Sequence, residues 1–186
     1  MPPHPDLQLE EKILKAAQRL WRTRGAAGLT LRAVAKEAGT TTPTVYKRFR
    51  NKEALRVALA HRCREQLNEF LFGSRSLDDV CRRYLQFAEE HRHEYELLLH
   101  SWSDVFQPDR PQPGKQWLMG KFAERFGGEA SQYARNFYML VIFSHGAATL
   151  LSLSDDENAR KDVRENFLSL CDILIQNTHL FRGKAN

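Results

Sequence analysis

The sequence predicts an all-α fold of about nine helices, with a small N-terminal three-helix unit ahead of a larger helical body. Three observations predict it. Apolar residues recur at three- and four-residue spacing along most of the chain, and no alternating strand pattern is present. Residues 29–55, LTLRAVAKEAGTTTPTVYKRFRNKEAL, read as two short helices about a glycine turn, the second polar along one side. Charge is also segregated: residues 1–60 hold 12 Lys and Arg against 5 Asp and Glu, net +7, while residues 61–186 hold 16 against 18, net −2.

Each element of the first third follows from local signals. An amphipathic helix, KILKAAQRLWRTRG, ends in Gly25. Thr30 suits the N-cap of the next helix, whose Leu31, Val34, Ala35 and Ala38 share one buried face. Gly39 breaks that helix. Thr41 or Thr42 caps a third, Pro43 suits its first turn because it needs no amide donor, and Val45 with Phe49 forms an i, i+4 apolar pair. The opposite side carries Pro43, Thr44 and Lys47, flanked by Tyr46 and Arg48. Hydroxyls and cations so placed match major-groove base edges and phosphate oxygens, which is the pattern of a helix-turn-helix reader of duplex DNA. Asn51 caps a further helix whose first turn places Lys52 where a phosphate would also be favoured. The local excess of cations predicts affinity for a polyanion that falls steeply with salt.

The remainder reads as helices broken near residues 72–74, 107–114, 127–128 and 152–158. Residues 51–72 form one long helix with Leu55, Leu59, Leu67, Phe70 and Leu71 on its apolar side, joining head to body. Residues 76–91 form a second, with a capping box from Ser76 and Asp79 and with Val80, Tyr84, Phe87 and Ala88 inward. A short helix is expected over 95–106, and the proline-rich PDRPQPG is read as a loop before a helix holding Trp117, Leu118, Phe122 and Phe126. Residues 130–153 are apolar nearly all round, so this helix should be covered on several sides. A last helix follows the acidic SDDEN with a stripe of Val163, Phe167, Leu170 and Leu174. The domain boundary is placed at 55/56, with 1–55 as the helix-turn-helix DNA-binding domain, residues 1–8 as a disordered arm, and 56–186 as the helical body.

Residues 12–59 resemble the DNA-binding domain of the TetR family of bacterial transcriptional regulators. The resemblance is carried by KILKAAQRLWRTRG, TLRAVAKEAG and TTPTVYKRF, with Tyr46, Phe49 and Lys52-Glu53-Ala54-Leu55 at the family's positions. It implies base or backbone contacts from Arg32, Thr42, Pro43 and Thr44, and phosphate contacts from Thr30, Tyr46, Arg48 and Lys52. Thr41 belongs to the same surface, and Lys47 is left between a base and a phosphate. The resemblance also implies a homodimer in which the last two helices of each subunit form a four-helix bundle, here through Gly146, Leu150, Val163, Phe167, Leu170 and Leu174. Two-fold symmetry would double the few contacts of one recognition helix on a palindromic operator. The function expected is a transcriptional regulator, most simply a repressor, released by an apolar or aromatic small molecule. The alternative is an effector-independent DNA-binding protein acting by occupancy or chromosome organisation.

Tyr84, Phe87, Trp102, Trp117, Phe122, Phe126, Phe137 and His145 are the candidates for lining an effector pocket. The stretch FSHGAATLL resembles a His-Gly element of one class of TetR-family C-terminal domains, which singles out Trp102 and His145. No enzyme is expected: GxSxG, Walker-type and HExxH motifs are absent, and Glu89-Glu90 and Asp155-Asp156 read as solvated pairs. No cofactor or metal is implied, since His91 and His93 diverge on a helix and Cys63, Cys81 and Cys171 lack CxxC spacing. The start, MPPHPDLQLEEK, has no basic leader or apolar core, and no unbroken run of 18 apolar residues occurs. A cytoplasmic protein, nucleoid-associated when DNA-bound and with no membrane partner, is expected.

Overall fold

The computed structural model describes residues 7–101, 103, 107 and 111–183. The expected N-terminal arm and Trp102 lie outside the described residues, in whole or in large part for the arm and entirely for the tryptophan. Among the described residues there is no strand. The α-helices are α1 (Leu7–Gly28), α2 (Leu31–Glu37), α3 (Thr42–Arg48), α4 (Lys52–Phe72), α5 (Leu77–Glu90), α6 (Arg92–His100), α7 (Pro113–Phe126), α8 (Ala134–Leu153) and α9 (Glu157–Gln176). Short 3-10 turns occupy Ala130–Tyr133 and Thr178–Leu180.

Two compact units emerge, one drawn from Met1–Arg64 and His93–Val105, the other from Glu65–Arg92 and Phe106–Asn186. The helix α4 therefore contributes its first thirteen residues, 52–64, to the first unit and the rest to the second. The first unit closes over Ile13, Ala16, Ala17, Leu20, Leu29, Val34, Val45, Leu55 and Leu59, all buried. Gly25 takes φ 57 and ψ −152, a region open to glycine alone, and so bends α1 where its regular part ends. At the other glycine turn, Gly39 has φ 61, Thr40 N–H donates to Ala35 O at 2.9 Å and Gly39 N–H to Lys36 O at 3.2 Å. This pair of bonds is the Schellman closure of α2, and it sets the angle at which α3 leaves.

The segment from His93 was not legible as part of this unit. Trp21 donates its indole N–H to His93 O at 2.6 Å, Arg22 pairs with Glu94, which is 2% exposed, and Arg56 bonds the buried Ser101 hydroxyl. Thus α6 is tied to α1 and α4 by polar groups in addition to its buried Tyr95, Leu97 and Leu98. It begins at Arg92, earlier than the expected 95, because His91 alone breaks the path from α5 with φ −122 and ψ 45. The expected end at Phe106 lies outside the described residues.

In the second unit α5, α8 and α9 pack around Val80, Cys81, Leu85, Leu140, Ala147, Leu151, Phe167, Cys171 and Leu174. Ser76 caps α5 by accepting from Asp79 N–H at 3.1 Å, and Asp79 returns the favour one residue further out, accepting from Arg75 N–H at 2.9 Å. Within the stretch read as a proline loop, Pro113 starts α7: its fixed φ and missing donor suit the first helical position. Gly127 and Gly128, at φ 76 and 80, end α7 as the doublet suggests. All three cysteines are free and buried, and burial pushes the Cys63 thiol up to about 12. Cys81 and Cys171, ninety positions apart, meet across α5 and α9, and the neighbouring thiol and burial push Cys81 upward.

The helical stretch Ala130–Leu153 is long and apolar enough to cross a membrane by length and composition. Here one side is packed and bears the buried polar Asn136 and Ser144. It is not covered on several sides, as its composition suggested: Tyr138, Ile142, Leu150 and Leu153 are exposed, the last at 77%. With Leu170 and Ile173 of α9 they leave an uncovered apolar face.

Candidate nucleic-acid interface

The candidate surface starts from three caps. Thr30 accepts from Ala33 N–H at 3.1 Å, Thr41 from Thr44 N–H at 3.3 Å, and Asn51 from Ala54 N–H at 2.8 Å. Each side-chain oxygen satisfies an amide that the first turn leaves open, a contribution of about 1 kcal/mol apiece. Thr41, not Thr42, is the cap of α3, and Pro43 falls in its first turn. Val45 and Phe49 are buried and lock α3 onto α2, so the other side of α3 is turned outward.

The residues singled out from sequence, on α3 and on its neighbours, differ in exposure. Thr30, Arg32, Thr41, Pro43, Tyr46, Lys47 and Lys52 are exposed, and Thr42, Thr44 and Arg48 are half-buried. Tyr46 is 53% open although aromatic rings usually pack inside, so its ring is available to a partner. Arg32, Lys47 and Arg48 form no ion pair among the described residues, whereas Arg19 is paired with Glu37 at 2.8 Å and Arg56 with Glu53. The acidic groups of this unit thus neutralise cations elsewhere and leave α3 positive. Arg50, exposed in the α3–α4 connection and likewise unpaired, extends the surface and was not singled out from sequence. Its basic character alone was the available signal.

Lys52 is held in place. Its ammonium donates to Ala26 O at 3.1 Å, bridging the start of α4 to the end of α1 and leaving two N–H donors free. The glycine bend at Gly25 is what brings that carbonyl into reach.

Among the described residues the aromatic candidates of the second unit fall into several ring contacts. Tyr84 and His145 form an edge-on pair, with Tyr84 Oη 3.2 Å from His145 Nδ1. Phe122 stacks on Tyr133 at 5.6 Å and on Phe126 at 6.3 Å, fully buried. Trp117 meets Phe72 at 5.1 Å, Phe87 lies against Phe70 and His91, and Phe137 abuts Tyr138. A surface cleft of about 210 Å³ opens instead between α5 and α9, lined by Arg82, Leu85, Gln86, Glu89, Glu90, Arg164 and Leu168. None of the aromatic candidates lines it. Of the expected interface residues, Gly146, Leu150 and Leu170 are exposed and Val163 half-buried, but Phe167 and Leu174, each 3% exposed, turn into their own unit. A helical stripe spans a wide arc, and in α9 the inner edge of that arc is the one that α5 and α8 cover.

Burial pulls His145 down from 6.5 to about 4, so the ring is neutral near pH 7. The unfolded chain therefore binds the extra proton first: the stability this histidine contributes is complete above about pH 6.5 and is lost as pH falls toward 4. Between pH 7 and 4.5 the expected loss from this group is about 2.5 kcal/mol. Urea unfolding at the two pH values checks it, and His145→Gln should shrink the difference between them by that amount.

A helical three-element unit that presents an unpaired, hydroxyl- and cation-bearing helix defines a helix-turn-helix DNA-binding domain. Residues 13–59 match the family model described as bacterial regulatory proteins, tetR family, which covers this N-terminal DNA-binding unit. Two uncharacterized HTH-type transcriptional regulators from strains of Mycobacterium tuberculosis are 42% identical over 52 residues, 28% of this chain and 26% of theirs. The matched segment thus spans about a quarter of those relatives. Whole-chain likeness is structural. A TetR variant from Acinetobacter baumannii in complex with minocycline superposes with a TM-score of 0.67 at 17% identity, covering 92% of this chain and 97% of that one. A TetR from Streptomyces coelicolor gives 0.66 at 20%, covering 92% and 98%, and a Rhodococcus protein of unknown function gives 0.66 at 22%, covering 95% and 98%. At these identities the likeness establishes the fold.

Proposed function

We propose that this protein is a DNA-binding transcriptional repressor that acts as a homodimer in the cytoplasm. Two copies of α3 read a palindromic operator, and a small apolar or aromatic molecule bound in the second unit releases them. The observation that carries the reading is the outward side of α3, polar, unpaired and rigidly backed by Val45 and Phe49. The uncovered apolar face of α8 and α9 supports the dimer, because large aliphatic side chains left in water favour association. Base contacts fall to Arg32, Thr42, Pro43 and Thr44, and phosphate contacts to Thr30, Tyr46, Arg48 and Lys52. Release follows from linkage: a ligand that prefers a state in which the two recognition helices no longer lie about 34–36 Å apart weakens DNA binding by that preference. The minocycline held by one structural neighbour supports the size and character of such a ligand.

Selection of bound duplexes from a random pool tests the reading, and a recurrent palindrome with half-sites about one turn apart is the expected result. Lys52→Gln should then weaken binding to every duplex alike and reduce the slope of log affinity against log salt by about two, one phosphate in each half-site. An unchanged slope would remove Lys52 from the phosphate contacts.

A further inference from the structure

The start of α3 has an internal bond that bears on what it reads. Thr41 Oγ1 accepts from Thr44 N–H at 3.3 Å and lies 2.8 Å from Thr44 Oγ1. The Thr44 oxygen is thereby turned back along the chain toward the N-cap. In a helix threonine chooses between two χ1 wells according to where its oxygen finds a partner, so this bond selects the well and fixes the Cγ2 methyl away from the cap. Its neighbour Pro43 is exposed and offers ring methylenes with no N–H. At this point of the surface Pro43 presents carbon beside the half-buried Thr44, while the exposed Tyr46 and Lys47 supply the polar flank.

In the major groove thymine alone presents a methyl group, and a threonine methyl is among the side-chain groups that meet it. We infer that Thr44, positioned by the Thr41 hydroxyl, reads one thymine in each half-site through its methyl and not through its hydroxyl. Thr41 is then a positioning residue with a double task, capping α3 and setting the Thr44 rotamer. The inference rests on α3 being the recognition helix.

The experiment uses the full-length protein and the duplex it selects from a random pool, with deoxyuridine replacing thymidine at one position of both half-sites at a time. Only the C5-methyl is lost. At one thymine position binding should weaken about fifteenfold, fourfold for each methyl contact. Thr44→Val, which keeps the methyl and its volume, should retain that sensitivity, and Thr44→Ser should bind the thymine and uracil duplexes equally. Thr41→Ala should blunt the discrimination without abolishing binding. Tolerance of uracil at every position, or loss of base preference in Thr44→Val with its retention in Thr44→Ser, would overturn the methyl reading while leaving α3 as the recognition helix. Failure to enrich any duplex would overturn both.

Discussion

Glutamate in place of Leu170 or Ile142 should break the proposed dimer into folded monomers, with the sedimenting mass falling from twice 21.6 kDa to 21.6 kDa. Both side chains stand open to solvent in the single subunit, Ile142 at 65%, and neither supports its own core, so a charge there costs little within one chain. Across a two-fold interface the same charge would be buried against apolar groups and against its own copy, which is costly without a partner. Operator affinity should drop by about two to four orders of magnitude, because two half-site contacts no longer act as one. Phe167→Glu provides the contrast: at 3% exposure it belongs to the interior and should unfold the second unit. A dimer that survives both surface changes would remove α8 and α9 from the interface.

Removing Arg22 should destabilise the first unit by about 3 kcal/mol, the largest effect expected of any exposed-side substitution. Glu94 is buried, and Arg22 of α1 is the cation that pairs with it. Without that partner the buried carboxylate is left uncompensated in a poor solvent. Arg22 is itself half open to water, 47% by side chain, which places the effect at the lower end of the range for buried pairs. Glu94→Leu combined with Arg22→Ala should recover much of the loss, since an apolar group of similar bulk has no charge to satisfy. Thermal unfolding of the two single variants and the double variant gives the coupling. Equal melting for Arg22→Ala and the native chain would show that this pair does not hold α6 to α1.

The three caps, the two glycine turns and the buried pair of α3 were legible because their causes act within a few residues. A threonine bonding an amide three positions on, or a glycine at φ 61, needs no knowledge of the rest of the chain. The outward side of α3 followed from the same short-range logic: once Val45 and Phe49 face in, Pro43, Thr44 and Lys47 face out. The placement of α6 was not legible, since Trp21 and Arg22 find His93 and Glu94 seventy-two positions away through polar bonds that leave no periodic trace. Likewise the aromatic candidates look alike in sequence. Only packing separates the Tyr84–His145 pair from the Phe122–Tyr133 stack.

The chain by itself determined that this protein is helical, where most helices start and stop, and which short helix carries the groups suited to a nucleic-acid groove. Caps, turns and hydrophobic spacing are properties of neighbouring residues, and they survive without a partner. The tertiary structure alone decided which edge of the α9 stripe stays wet, which side chain accompanies Arg22, and that the Thr44 oxygen is tied to the cap of its own helix. The first two are settled by elements that meet only when distant segments pack. The third depends on a rotamer, which spacing along a sequence does not record.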